Sequence, residues 1–508
     1  MVTHNKIVSL IKFFFVVVLF ILILLTLQSN PFSKIMPYHD SSMFIYFGEA
    51  MNHGLIPYID MLDHKGPVLF FINFFAVAIN HFAFAHGLFL VESIFLIVDF
   101  YFLYKIAKIF VDNDYVFICS LFFLAPIMIV TFGYGNYSEE YALTFIIIAL
   151  YLFTKLVYLN IDLSKTKYFL IGCFGALTFF IRPNMVMLWV VYCIALVVIN
   201  IHLRNFKKLY KQAFYIFWGG AFITLLIFLY GVFTGSLWQM INSSIILNIS
   251  YAGSSISEKI ATTKYFFKML SYNRFEFILA FYLLFLVIRL SSMASKFKLY
   301  NVLTIILAIL NFITVILSGR EYAHYLITEL PYLFIISLFA INFIFEKLNS
   351  FRFEPLIAVL LMSIAIVPFY QETKFAIAYV NIENTGSVNF KNSYLKISRY
   401  IDKHSRTDDE IYVHSIDANI YLQSRRFANS KLFALPSLDY TKYKGLSSYF
   451  ENKMEDNPPK YIVMSSYVYN IDHKNNQRMN KFVYCTIKAH YHEIEPFKHN
   501  DLMLFKHN

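Results

Sequence analysis

Apolar runs of bilayer-crossing length succeed one another through most of the first 370 positions, and no soluble core could absorb them. Crossing the hydrocarbon layer takes about 20 residues at 1.5 Å rise each. Runs of that order are read at Ile7–Leu27, Gly87–Tyr104, Tyr115–Phe132, Tyr141–Tyr158, Tyr168–Ile181, Asn184–Ile201, Ala213–Phe233, Phe275–Leu290, Tyr300–Leu317, Tyr325–Phe345 and Pro355–Phe369. Hydropathy therefore predicts roughly eleven transmembrane helices. Composition agrees, with 58% of the 508 residues hydrophobic and 15% charged, against about 25% charged in soluble domains. Disorder, collagen and a disulfide-knit secreted fold are excluded. The expectation is an all-α polytopic membrane bundle.

The net charge of +11 reads as loop bias rather than as affinity for nucleic acid, because basic residues collect in cytoplasmic loops. Alternate connections carry Lys105 and Lys108, then Lys155, Lys165 and Lys167, then Arg204, Lys207, Lys208 and Lys211, then Arg289, Lys296 and Lys298, then Lys347 and Arg352. That alternation puts the N-terminus inside and everything after Phe369 outside. The first run has a basic lead, but Thr26–Lys34 offers no small-x-small cleavage site, so it reads as an uncleaved anchor. Gly66–Phe82 would invert every later loop if it spanned, so it is read as a helix at the outer interface, or else re-entrant. Two domains are expected: residues 1–370, a transmembrane catalytic domain with its first external loop at 28–86, and residues 371–508, a small extracytoplasmic α/β domain. In the tail a helix is read at Ser393–His404, strands at Glu410–His414 and Tyr461–Ser465, and a terminal pair around Cys485–His490 and Leu502–Phe505. A second external loop, Gly235–Arg274, holds Asn242, Ser243, Ser244, Asn248 and Ser250. Of the four cysteines only Cys485 lies in the tail, so no disulfide forms inside it.

Polar chemistry gathers on the outer side. The first loop supplies His39, Asp40, Glu49, His53, Asp60, Asp63, His64 and Lys65 within one short stretch. A loop carboxylate is ordinarily just solvated, yet Asp40 lies at head-group depth, close to the Lys65-Gly66-Pro67 corner. Glu139 and Glu140 stand at an outside-facing helix start, where dipole complementation accounts for one acid. The second makes a carboxylate pair with the first loop possible. Arg320, His324 and Tyr325 can grip a phosphate through charge-assisted and hydroxyl hydrogen bonds; a snorkelling cluster is the plainer alternative. Arg182, at a proline break in FFIRPN, should face a partner or a cavity, and Glu92 and Asp99 share a helix face as a proton path or as hydrogen-bonded structural groups.

The ordered pieces HDSSMFIYFGEAMNHGLIPYIDMLDHKGP, NYSEEYAL, FFIRPN, GREYAHYLITELP and, in the tail, IYLQSRRFANSKLFALP resemble the GT-C glycosyltransferases. That superfamily includes the protein O-mannosyltransferases, the aminoarabinose transferases that modify lipid A, and many bacterial envelope glycosyltransferases. The resemblance implies a GT-C fold and transfer of a single hexose, glucose by this reading, from polyprenyl phosphate to an envelope glycan such as O-antigen, with inversion. The setting it implies is the outer face of a bacterial inner membrane. Asp40 matches the aspartate that commonly serves as general base, and Glu139 or Glu140 matches a second acid. Lys65 matches the lysine on the donor phosphate, with His64 and Asp63 beside it. Arg320 and His324 match outer-loop phosphate contacts, and Tyr325 and Arg182 join the substrate-binding set. Asp40 has no adjacent acid, so no metal or other cofactor is expected. The expected partners are a polyprenyl-phosphate-linked sugar, a glycan acceptor and the lipid bilayer, and no nucleic acid. A lipid-linked sugar flippase and a glycan polymerase are the alternatives.

Overall fold

The computed structural model describes residues 2–33, 37, 39–82, 86–247, 254–348, 353–385, 388–415, 417–434, 444–470, 478–498 and 500–508. Of the positions singled out above, Lys34, Asn248, Ser250, Arg352, Leu435 and Pro436 lie outside them. The chain divides into two compact units, each assembled from three separate stretches. Unit 1 holds Met1–Asn30, Phe89–Leu229 and Ile249–Val380, and unit 2 holds Pro31–Leu88, Tyr230–Asn248 and Asn381–Asn508.

Unit 1 is a helical bundle. It contains α1 (Val2–Thr26) and most of α4 (Gly87–Phe110), then α5 (Asp114–Phe132), α6 (Ser138–Val157), α7 (Lys165–Phe179), α8 (Met187–His202) and most of α9 (Phe206–Phe233). It continues through α10 (Ile256–Tyr272), α11 (Phe275–Arg289), α12 (Ser295–Ile316), α13 (Leu330–Leu348) and most of α14 (Glu354–Thr385). Among the described residues seven helices are long and apolar enough to cross a membrane, or eight if the bent pair α10–α11 is one span. They coincide with seven of the expected runs. The expected count of about eleven is not confirmed. α1 is a helix of 25 residues whose apolar stretch Lys12–Thr26 stands, with α8, among the shorter apolar helices of 10–17 residues. Arg182 and Pro183 break the run between α7 and α8, leaving α7 with 15 residues. Arg274, left-handed at φ 62°, turns α11 by 89° from α10.

Small residues let two of these helices approach closely. A Cβ on Gly172 of α7 would stand 1.9 Å from the Ile216 carbonyl oxygen of α9, and one on Gly219 would stand 1.9 Å from that of Phe169. Such contacts drive helix association in lipid, where hydrophobic burial supplies little. Gly172→Ala should therefore lower the unfolding temperature in detergent, by overpacking worth about 1–3 kcal/mol. Gly445→Ala, with nothing within 4 Å of the new methyl, should leave it unchanged.

Unit 2 joins the first loop to the tail. α2 (Asp40–Asn52) packs on α3 (Pro67–Phe82). Gly48 permits the approach, since a Cβ there would lie 2.5 Å from the Asn73 carbonyl oxygen, and Phe47 stacks on Phe70 at 3.9 Å. In the tail, α15 (Val388–His404), α16 (Asn419–Ser424), α17 (Lys444–Asp456) and α18 (Arg478–His490) accompany a four-stranded sheet. Its strands are β1 (Ile411–His414), β2 (Tyr461–Ser465), β3 (Tyr491–Glu493) and β4 (Leu502–His507), in the order β1-β2-β4-β3. β1 runs parallel to β2 with Ile411 opposite Tyr461; β4 is antiparallel to both β2 and β3. The β1 side chains are all buried, as expected for a strand covered on both faces. Cys485–His490 is not a strand. It ends α18, whose Val483 and Ile487, four apart, are buried on one helical face in the core with Tyr412, Phe450, Ile462 and Phe505. The strand partner comes one residue later, at Tyr491.

Candidate functional site

Two groups of polar side chains, one in each unit, contain the residues singled out from the sequence. In unit 2, Asp40 opens α2 behind His39, whose φ of 52° and ψ of −136° are unusual for a residue with a side chain. Asp40 is partly exposed, and its carboxylate makes no hydrogen bond or ion pair among the described residues. Asp63, His64 and Lys65 are all buried at the corner before α3. Asp63 Oδ1 accepts the Lys65 backbone N–H at 2.8 Å and lies 3.7 Å from Lys65 Nζ and 3.6 Å from His64 Nδ1. The Lys65 ammonium also sits 5.4 Å above the Phe44 ring, on α2. Tyr58 locks the corner by donating to the Lys65 carbonyl at 2.8 Å. Burial, then the nearby Asp63 charge, pushes the Tyr58 phenol well above its usual range and keeps it a donor. Unit 2 thus brings together the three corner residues and leaves the Asp40 carboxylate unengaged. Trp238, in the second loop, is exposed.

The residues of the tail piece that resembled the superfamily have a clear packing role. Tyr46 of α2 stacks on Phe433 at 4.3 Å, and its hydroxyl accepts the Ala428 N–H at 3.0 Å. Leu62 N–H donates to the Lys431 carbonyl at 2.8 Å. Burial lowers the affinity of the Lys431 amine for its proton, and the amine rests 4.4 Å from the Tyr449 ring.

In unit 1, Tyr134, Gly135 and Asn136 have successive φ values of 83°, 75° and 57°. This left-handed run turns the chain into α6. Glu92 holds the turn, accepting the Asn136 N–H at 2.5 Å and the Ser29 hydroxyl. Tyr141 donates to the Asn136 side-chain carbonyl at 2.7 Å. The two glutamates then part company. Glu139 Oε1 pairs with Arg182 Nη1 at 2.5 Å, and Ser138 donates to Oε2 at 2.8 Å. Glu140 turns back to the start of its own helix, accepting the Tyr137 N–H at 3.4 Å. Arg182 lies 4.8 Å over the Tyr325 ring and reaches its hydroxyl at 3.4 Å. His324 stacks on Tyr137 at 3.9 Å and 10°. Arg320, past Gly319, is exposed, and its side chain makes no hydrogen bond or ion pair among the described residues. Unit 1 therefore unites Glu139, Arg182 and Tyr325, with His324 alongside through Tyr325, and leaves Arg320 apart. Deeper in the same unit, buried Asp99 accepts from Thr144 at 2.5 Å.

Sequence reasoning missed three contributors. The Tyr134–Asn136 turn was signalled only by its Gly-Asn pair. Tyr137 looked like one of many interface tyrosines. Asp417 of the tail, which bonds the start of α2, carried no local signal. Among the described residues no group of three or more His, Cys, Asp or Glu side chains is placed to hold a metal ion.

A family model described as "Putative competence-induced protein Ccs4 N-terminal domain" matches residues 2–353, and one for the Ccs4 C-terminal domain matches residues 392–505. No curated protein matches the chain. Among solved structures, ArnT from Cupriavidus metallidurans in the apo state aligns with a TM-score of 0.62 at 10% identity, over 99% of this chain and 98% of ArnT. The same protein bound to undecaprenyl phosphate aligns with a TM-score of 0.57 at 11% identity, over 97% of each chain. The shared property is the fold: a polytopic helical bundle with a small α/β extension.

Proposed function

The chain belongs to the competence-induced Ccs4 family, and from that premise and the fold it has in common with ArnT we propose that it is an inverting glycosyltransferase using a polyprenyl-phosphate-linked sugar. The observation that carries the reading is the near-complete overlap with a protein crystallised with undecaprenyl phosphate. A bundle of this kind offers a lipid carrier its own solvent. In this reading the donor is a hexose, glucose first, and the acceptor an envelope glycan such as O-antigen at the outer face of the inner membrane. The N-terminus is cytoplasmic and the α/β extension lies outside.

The chemistry is a single displacement. The acceptor hydroxyl oxygen bonds to the anomeric carbon as the bond from that carbon to the phosphate oxygen breaks. The electron pair leaves with polyprenyl phosphate, and the hydroxyl proton passes to Asp40. A hydroxyl is a poor nucleophile, so a carboxylate held ready as base is what the step needs. The unengaged Asp40 side chain suits that role. Departing phosphate charge needs cations aimed at it, for which Lys65 and Arg320 are assigned, with His64, Asp63 and His324 as further substrate-binding groups. Within unit 1, Glu139, Arg182 and Tyr325 form a group of their own in which the Arg182 charge is already balanced by Glu139.

The test is reconstitution of the full chain in liposomes with defined radiolabelled undecaprenyl-phosphate hexoses and isolated envelope glycan. The expected product is glycan larger by one hexose, with free undecaprenyl phosphate released in equal amount. Transbilayer movement of the donor without sugar consumption would identify a flippase instead, and lengthened chains at constant repeat mass a polymerase.

A further inference from the structure

α2 starts in an unusual way. Ser, Thr, Asp or Asn ordinarily cap a helix through their own side chains. Here the capping residue is His39, which makes no such bond and has φ at 52°. A side-chain-bearing residue persists in that conformation only when its surroundings hold it there. Asp417, just beyond β1 in the tail and 378 positions from His39, supplies the hold within unit 2.

Asp417 is 4% exposed. Its Oδ1 accepts the His39 backbone N–H at 2.5 Å, and its Oδ2 accepts the Tyr394 hydroxyl, from α15, at 3.3 Å. Ser42, three residues into the α2 region, donates its hydroxyl to the His39 carbonyl at 2.7 Å and accepts the Ala418 N–H at 3.0 Å. The start of α2 is thus stitched to residues 417 and 418 from both sides. A buried negative charge at a helix N-terminus is also favoured by the helix dipole. Burial, then the Asp417 charge, raises the Tyr394 phenol and keeps it a donor. Asp40, immediately after the clamped residue, makes no hydrogen bond or ion pair among the described residues.

We infer that Asp417 is the positioning residue for Asp40: it caps α2 across the fold and thereby fixes where the Asp40 carboxylate stands. The inference rests on the reading of Asp40 as the base. A base must come within about 2.6–3.2 Å of the proton it takes, and a misplacement of about 1 Å can lower a rate by about 10²-fold. A tail residue that never touches the substrate then acts on turnover through the backbone of α2.

The experiment compares Asp417→Ala, Asp417→Asn and Tyr394→Phe in the full chain, assayed with undecaprenyl-phosphate glucose per folded molecule. Asp417→Ala should lower kcat by about 10–10²-fold with KM for the donor unchanged. Asp417→Asn keeps an oxygen for the His39 N–H and should recover most of the loss, and Tyr394→Phe should fall between. A second readout is independent of turnover. With Cys485 replaced by Ser, the rate at which Asp40→Cys reacts with an impermeant maleimide should rise in the Asp417→Ala background and not in the Asp417→Asn background. Unchanged kcat and labelling in Asp417→Ala would overturn the inference. So would equal damage in Asp417→Asn and Asp417→Ala, with KM and folded yield falling together. A fully active Asp40→Asn would instead remove Asp40 from the mechanism, and the labelling rates would still decide whether Asp417 holds the start of α2.

Discussion

Asp40→Asn should abolish measurable sugar transfer, a fall of about 10²–10⁴-fold, while the purified protein keeps its yield, monodispersity and unfolding temperature. The two halves of this expectation come from the same observation. Asp40 makes no hydrogen bond or ion pair among the described residues, so the amide forfeits no contact within the fold. What the fold loses is a favourable charge at the start of α2, worth about 0.3–1 kcal/mol at an exposed position. What the reaction loses is a carboxylate that makes no hydrogen bond or ion pair among the described residues, whereas the Asp63 carboxylate is held by Lys65 and its backbone N–H. The donor's KM should hold, since binding the lipid phosphate falls to Lys65 and Arg320 rather than to the acid. Parallel measurement of kcat, KM and thermal unfolding on the same preparation separates these effects. Normal turnover in Asp40→Asn would end the assignment of the base.

What could be read from the sequence divides along the range of the interactions involved. Long apolar runs declare themselves one residue at a time, and seven of them match the seven long helices. Of the other four runs, the first is a 25-residue helix and three are helices of 15 or 16 residues. The break at Arg182-Pro183 was legible, and the helices on either side of it have 15 and 16 residues. Cys485–His490 was read as a strand although Val483 and Ile487 already carried helical spacing. At the two polar clusters the residue types were visible but their partners were not. Adjacent Glu139 and Glu140 look equivalent in the sequence, and only the fold shows that one meets Arg182 while the other closes its own helix. Asp417 was invisible for a simpler reason. Its significance is a bond to a backbone N–H 378 positions away, and no local pattern encodes that.

The second large effect is on stability. Arg182→Ala should lower it by about 3–5 kcal/mol, because it strands Glu139 as an uncompensated buried charge. The pair is well shielded, with side chains only 7% and 4% exposed, and the 2.5 Å contact replaces hydration for both ions. The guanidinium also rests on the Tyr325 ring, so its removal takes away packing as well as charge. Glu139→Gln should be milder, since its carbonyl still accepts from Arg182 and the ring contact survives. Joining the two, as Arg182→Met with Glu139→Gln, should recover part of the Arg182→Ala loss, since no buried charge is then left without a partner. Thermal and denaturant unfolding of the purified variants in one detergent measures each corner of that cycle. Additive losses in the double variant would mean that the two side chains act separately. Recovery of stability without recovery of sugar transfer would mean that the Arg182–Glu139 pair is needed for the reaction as well as for the fold.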